Sequence, residues 1–292
     1  MAIDTPLFTA HSRHWRENRY VYPVISRRSK GLSIGVNLNP DTACNFDCVY
    51  CSVDRTQVPA ASPAPRPSVD LAVVRAELDH LITLAMTGKL FDEAPFNTTP
   101  AALRRLNDIA FSGDGEPTTY PRFAEACQLA MDILAWHQAP PEVRVVVITN
   151  ATMLSLERVQ QALDVLAGRG EVWAKLDAGT AEYYQLIDRS EVPFSRVLDN
   201  LLLAGRRRPL VIQSLFARLH GVPPSAAEID AWVERLAALQ AGGAALARVQ
   251  VYTTARATAE AWVTPLLPQE VDAIAARVQA IGVPAEAFYG PG

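Results

Sequence analysis

Six short β-type runs alternate with longer helical runs, and this alternation restricts the chain to a parallel sheet with crossover helices. The runs are SIGVNL (33–38), DIAFS (108–112), VRVVVIT (143–149), EVWAKLD (171–177), PLVIQSLF (209–216) and ARVQVYTT (247–254). The third is continuously apolar, as expected for a strand covered on both faces. Helical stretches are expected at 68–87, 121–137, 153–167, 193–205, 225–241 and 268–281. The first carries Val73, Leu78, Leu81, Ile82 and Leu84; the third begins near Ser155 and stops at Gly168, a plausible cap pair. Residues 56–67 are Pro/Ala-rich and read as a loop, and 88–107 read as an insertion with one helical turn at 100–106. Six β/α units leave no room for two more in 292 residues. The expected α/β fold is therefore an open, partial barrel over 31–292, preceded by a basic, aromatic N-terminal arm over 1–30.

The bulk properties exclude some partners. Charged residues make up 20% of the chain and the net charge is −4, so the whole molecule has no strong pull toward nucleic acid or membrane. No apolar run approaches the ~18 residues of a membrane span. The start, MAIDTPLFTAHSRHWRENRY, has an acid at Asp4 and no apolar core, so it does not read as a signal peptide. The arm is the basic exception. Arg13, Arg16, Arg19, Arg27, Arg28 and Lys30 face a single acid, Glu17, within residues 11–30, interleaved with Trp15, Tyr20 and Tyr22. Cations beside stacking rings suit loop or single-stranded RNA. The competing reading packs the rings on the barrel and leaves the arginines solvated, and it is the preferred one.

Four cysteines are present, and three of them lie in Cys44-Asn45-Phe46-Asp47-Cys48-Val49-Tyr50-Cys51. That spacing is no disulfide framework; it points to thiolates kept reduced in a cytoplasmic protein and used for metal. Three thiolates in one loop can hold three irons of a [4Fe–4S] cube and leave the fourth open to a ligand. A structural zinc site or an ordinary four-cysteine cluster needs a fourth ligand. The next candidates, His80 and Cys127, are far along the chain, and Cys127 sits on the helical stripe Phe123, Cys127, Ala130, Leu134 as a core thiol would.

Catalytic groups of (β/α) barrels cluster at the C-terminal ends of strands. Strand two is followed by Ser112-Gly113-Asp114-Gly115-Glu116-Pro117-Thr118 and strand three by Thr149-Asn150-Ala151. Strand four ends with Lys175 and Asp177, on one side by the two-residue period, either as cofactor contacts or as a surface ion pair. Gln213 and Ser214 lie inside an apolar strand and need partners. Strand six carries Gln250, Tyr252 and Thr254 on one face, then Arg256, which could grip a carboxylate or phosphate; Arg189 is a lesser candidate for that task.

The CxxxCxxC loop, with Tyr50 just before its last cysteine, resembles the signature of the radical S-adenosylmethionine superfamily over roughly residues 31–256. The resemblance implies a partial (β/α)6 TIM-like barrel. It implies a [4Fe–4S] cluster on Cys44, Cys48 and Cys51, S-adenosylmethionine as cofactor, and an electron donor such as flavodoxin or ferredoxin. Asp114, Gly115 and Glu116 resemble the family's Gly-Gly-Glu motif, with Asp114 where the first glycine usually stands. That motif holds the methionine amino group, so a valine at Gly115 is expected to weaken cofactor binding while sparing iron. Tyr50, Asn150, Lys175, Asp177, Gln213, Ser214, Tyr252 and Arg256 are the remaining candidate cofactor contacts. The order of motifs resembles 4-demethylwyosine-synthase-like iron–sulfur oxidoreductases, but the cysteines of their second cluster are missing. The implied activity is reductive cleavage of S-adenosylmethionine to a 5′-deoxyadenosyl radical that abstracts hydrogen from an unidentified small molecule, protein or RNA. Alternatives are a glycyl-radical activating enzyme, a tRNA-modifying enzyme and a non-enzymatic iron–sulfur carrier.

Overall fold

The first strand begins where a side chain takes over the backbone hydrogen bonds. Glu77, buried within a helix, accepts from the N–H groups of Arg19, Tyr20 and Val21 at 2.7–3.0 Å and so fixes where the first strand starts. The computed structural model describes residues 6–9, 15–53, 55 and 68–290; Arg13 and the expected loop 56–67 lie outside them. In chain order the elements are α1 (Pro6–Thr9), β1 (Val21–Ser26), β2 (Gly31–Val36), α2 (Leu71–Met86), β3 (Leu106–Phe111), α3 (Phe123–Trp136), β4 (Arg144–Thr149), α4 (Glu157–Val165) and β5 (Gly170–Lys175). There follow α5 (Ala181–Ile187), α6 (Phe194–Arg207), β6 (Leu210–Leu215), β7 (Ala217–Leu219), α7 (Ala226–Ala241), β8 (Leu246–Tyr252), β9 (Val263–Pro265), α8 (Pro268–Ala280) and β10 (Ala285–Phe288).

The main sheet runs β1-β2-β3-β4-β5-β6-β8-β10 and is parallel except for the antiparallel β1–β2 hairpin. It curls into an open half-barrel, with β1 and β10 as free edges. The six expected strands are β2, β3, β4, β5, β6 and β8, and the six expected helices are α2, α3, α4, α6, α7 and α8. The structure adds β1 and β10 at the edges, a small β7–β9 sheet and the short helices α1 and α5. Residues 21–26, read from sequence as part of the arm, are therefore a strand of the sheet. The insertion at 88–107 holds three short 3-10 turns instead of one.

Helices cover the outside of the sheet with regular apolar faces. In α2 the buried apolar positions are Leu71, Val74, Leu78, Leu81, Ile82 and Ala85, and Asp70 caps the first turn by accepting from Ala72 N–H. Cys127 is fully buried in α3 beside Ala126 and Ala130, and burial pushes its thiol pKa up. Inside the barrel Ala110, Val146, Trp173 and Val211 form a separate apolar patch. The rings of the arm pack as core: Trp15, Tyr20 and Tyr22 are buried, and Trp15 meets Phe96 edge-on at 5.4 Å. Arg16 pairs with Glu93 on the surface. No helix among the described residues is long and apolar enough to cross a membrane.

Candidate functional site

The cysteine loop leaves the top of β2 and is held by groups from the end of α5, the end of β4 and the segment beyond β8. Asp47 N–H donates to the Asp188 carbonyl at 3.0 Å and Val49 N–H to the Ile187 carbonyl at 2.9 Å. The loop thus takes up carbonyls that the C-terminus of α5 leaves unpaired. Phe46 packs edge-on against Tyr184 of α5. Asn45 accepts from the Asn150 amide at 2.7 Å and donates to Thr152 at 2.7 Å, tying the loop to the end of β4. Ala259 N–H donates to the Cys51 carbonyl at 2.9 Å from beyond β8.

Cys44, Cys48 and Cys51 are free, partly exposed thiols at one end of a cavity of about 280 Å³ inside the half-barrel. Burial pushes the Cys44 thiol pKa up and pushes Cys48 further. Burial also acts against the Cys51 thiolate, but Arg55 outweighs it: Nη1 donates to Cys51 Sγ at 2.9 Å and the thiol lies below its ordinary value. Arg55 also donates to the carbonyls of Thr42 and Asp114. The thiolate is the ligating form, so the loop carries its own charge compensation. Among the described residues no three His, Cys, Asp or Glu side chains converge on one point as a single ion would require. A cube that takes one thiolate per iron needs no such convergence, so the three thiols fit it and do not make a zinc tetrahedron.

The glycine loop after β3 is fitted against the approach to Cys44. A Cβ on Gly115 would lie 2.1 Å from the Ala43 carbonyl oxygen, and one on Gly113 would lie 2.4 Å from Asn37 Oδ1. Asn37 donates to the Asp114 carboxylate at 2.5 Å and accepts from Asp114 N–H at 3.2 Å. Glu116, only 2% exposed, accepts from Thr118, from Thr149 Oγ1 at 2.7 Å and from Asn150 N–H at 2.7 Å. Its carboxylate is raised by burial, and those donors work against the rise. Glu116 therefore locks the end of β4 to the glycine loop.

A buried charged cluster backs the cysteines. Tyr50 donates to Asp177 and accepts from Lys175 Nζ at 3.1 Å; Cys48 Sγ donates to Asp188 Oδ1 at 3.4 Å. Asp177 also accepts from Leu215 N–H at 2.7 Å. Burial holds both carboxyls above their ordinary values, Asp188 further because Asp177 lies beside it. Lys175 is held above its ordinary value, its loss of hydration more than offset by Cys48 and Tyr252 and then by Asp177 and Asp188. Lys175 and Asp177 are thus no surface pair: they meet on Tyr50.

Of the residues singled out in the sequence, Tyr50, Gly115, Glu116, Asn150 and Lys175 line the cavity with the three cysteines, as do Gln213, Tyr252 and Arg256. Gln213 donates to Gln250 at 2.8 Å on the neighbouring strand, which leaves Gln213 Oε1 and Gln250 Nε2 buried without partners. Four candidates lie elsewhere. Ser214 follows Gln213 in the strand, so it points to the opposite face and donates to the Leu176 carbonyl at 2.5 Å. Asp177 lies behind Tyr50, and Asp114 is held by Asn37. Arg189 pairs with Glu260 at 2.7 Å on the outside. The sequence reading did not single out Arg55, Asn45 or Asp188. The first lies four residues after the last cysteine and the third lies inside Ile187-Asp188-Arg189; neither position is distinctive without the fold.

Two curated relatives match: GTPase Obg from Brachyspira hyodysenteriae, 25% identical over 189 residues, and UPF0026 protein MJ1312 from Methanocaldococcus jannaschii, 26% identical over 185 residues. They align with 64% and 62% of this chain but with only 23% and 46% of their own lengths. Among solved structures, a radical SAM methyltransferase from Sphaerobacter thermophilus superposes with a TM-score of 0.58 at 16% identity, covering 93% of this chain and 70% of that one. Streptococcus suis SuiB bound to S-adenosylmethionine gives 0.55 at 10% identity, covering 90% and 52%. Archaeal TYW1 gives 0.50 at 12%, covering 94% and 79%. These likenesses concern the fold. The sequence itself matches the family model of the Radical SAM superfamily over residues 38–223, more than half of its length, and the chain belongs to that superfamily.

Proposed function

We propose that Cys44, Cys48 and Cys51 hold the [4Fe–4S] cluster of this family and that the cavity beside them takes S-adenosylmethionine and a substrate together. The observation that carries this reading is the placement of three free thiols at one end of a cavity whose walls are strand-end polar residues. Bound there and reduced, such a cluster would supply one electron to the S-adenosylmethionine sulfonium, whose cleavage would give methionine and a 5′-deoxyadenosyl radical able to take a hydrogen atom from the substrate.

The chain's own residues prepare the site. Arg55 favours the Cys51 thiolate, and Lys175 offsets the buried carboxyls beside Cys48. Glu116 has its oxygens occupied by Thr118, Thr149 and Asn150, so its part is to hold the Gly113–Gly115 backbone close to the methionine end of the cofactor. Lys175, Gln213, Tyr252 and Arg256 face the space left for the nucleoside and carboxylate, and the partnerless Gln213 Oε1 is matched to a polar ligand. A reductant such as flavodoxin or ferredoxin would supply the electron.

Anaerobic reconstitution tests the reading. About four irons per chain are expected in one cluster, and dithionite should then yield 5′-deoxyadenosine from S-adenosylmethionine. Alanine at Cys44, Cys48 or Cys51 should abolish the iron chromophore. Cys127→Ser should keep it, at a stability cost of about 1–3 kcal/mol for an unpaired buried hydroxyl. Zinc bound without any iron chromophore would sink the assignment, and a complete cluster that never gives 5′-deoxyadenosine would make the protein an iron–sulfur carrier.

A further inference from the structure

The β1–β2 register pairs Ser26 with Gly31 and leaves a four-residue turn, Arg27-Arg28-Ser29-Lys30. That turn is fixed from several sides. Lys30 N–H donates to the Ser26 carbonyl at 2.9 Å, and Ser29 N–H donates to Ser26 Oγ at 3.1 Å. The Asn107 amide donates to the Ser29 carbonyl, and Lys30 pairs with Glu286 on β10, across the open side of the barrel.

Arg27 and Arg28 are the two turn residues left without partners. Among the described residues neither guanidinium has a hydrogen bond or ion pair, yet both are partly buried and both line the cavity that holds the cysteines. Arg28 lies over the Tyr252 ring at 4.9 Å and over Trp173 at 5.8 Å. A guanidinium held over ring faces gains attraction without using its N–H donors, and those donors match a carboxylate or phosphate. Burial pulls the Arg27 pKa down to about 10, and the like charge of Arg28 adds to the fall. Two adjacent cations removed from water without partners are costly unless something anionic joins them.

Neither carboxylate of the cavity wall forms an ion pair with the turn: Asp108 accepts from Ser33 and attracts Arg28 only through space, and Glu116 is occupied as described. The wall's other cations include Arg55 and Lys175, which are committed to Cys51 and Tyr50. Tyr252, over which Arg28 lies, lines the same cavity as Lys175 and the cysteines.

We propose that Arg27 and Arg28 form an oxyanion site for the substrate, which presents a carboxylate or phosphate group to the hairpin end while its reacting carbon faces the cysteine end. The inference rests on the proposed function for the second half of that statement, and on the cavity alone for the first. The test is calorimetric titration, without oxygen or reductant, of cluster-loaded protein saturated with S-adenosylmethionine. Inorganic phosphate and malonate are the probes, with chloride at equal ionic strength as control. Saturable binding of at least one probe is expected, and the tighter one assigns the group. Arg28→Gln should weaken it by about tenfold or more, the Arg27→Gln/Arg28→Gln pair should abolish it, and Arg28→Lys should retain part. Iron content and S-adenosylmethionine affinity should stay unchanged in each variant. Absence of saturable binding by the wild type, or binding that survives the double substitution, would overturn the proposal. So would a loss of S-adenosylmethionine affinity in Arg28→Gln, which would give the pair to the cofactor carboxylate. Anion binding by a wild-type protein that makes no 5′-deoxyadenosine would uphold the oxyanion site and remove the proposed function instead.

Discussion

Asp108 sits on the inner face of β3, 3% exposed, accepting from Ser33 Oγ. Burial raises its carboxyl from 3.8 to about 6; the Ser33 hydrogen bond and Arg28 pull the other way, and Glu171 adds to the rise. A carboxyl with a higher pKa folded than unfolded binds more protons in the folded state between those values. Its contribution is therefore most favourable below pH 3.8 and is lost as pH rises toward 6. The loss is about 3 kcal/mol at most. Asp108→Asn should remove this dependence: the variant should gain stability relative to wild type between pH 4.5 and 7 in urea titrations of the two proteins in the same cluster state. A wild-type-minus-variant difference that does not change with pH would show that Asp108 ionises at its ordinary value. At this scale the sequence announced the cysteines through spacing alone, and the period-2 rule put Lys175 and Asp177 together. Asp188 and Arg28 were not legible as site residues. Cys48 meets Asp188 140 positions away, and Arg28 meets Tyr252 from a turn that reads as part of a basic surface arm.

At the level of elements, the loops matter because they are fitted to one another. Gly115 shows this most sharply, since a methyl group there would overlap the Ala43 carbonyl, one residue before Cys44. The sequence reading expected a larger residue at Gly115 to spare the iron. The geometry predicts that Gly115→Ala displaces the cysteine loop, so iron and sulfide after reconstitution should fall by more than half. Gly168→Ala is the control: its φ is +88° with nothing within 4 Å, so it should cost about 1 kcal/mol through backbone strain and leave iron intact. Full iron content in Gly115→Ala would mean that the two loops can separate freely. The missed elements share a physical cause. Helix α5 has seven residues, too few to show a 3.6-residue period; β10 has four; β1 contains Pro23, which a strand tolerates only at an edge. The six long β/α units were legible because each repeats its apolar pattern over enough residues to be distinctive.

For the whole molecule, the consequence of an open barrel is that its first and last strands must be kept in register without hydrogen bonding to each other. Lys30 and Glu286 span that gap, joining the β1–β2 turn to β10. Both side chains are well exposed, so the pair adds no more than about 1 kcal/mol to global stability. Its effect is expected in the local opening of the turn, which is governed separately from global unfolding. Lys30→Glu should leave the urea midpoint nearly unchanged but speed amide hydrogen exchange in residues 27–31 and 285–288. The charge-swapped pair Lys30→Glu/Glu286→Lys should restore protection, because attraction across the gap returns while each single residue stays changed. Unaltered exchange in the single variant would show that Ser26 and Asn107 hold the turn by themselves. Faster exchange without recovery in the swap would point to the lysine stem instead of its charge. The same turn carries Arg27 and Arg28, so a clasp that sets its position also sets how far two cations reach into a cavity within a chain of net charge −4. The whole-molecule charge repels anions weakly at long range, while the unmatched guanidiniums attract them at short range. Raising ionic strength should thus weaken anion binding only modestly, since buried charges are screened less than exposed ones.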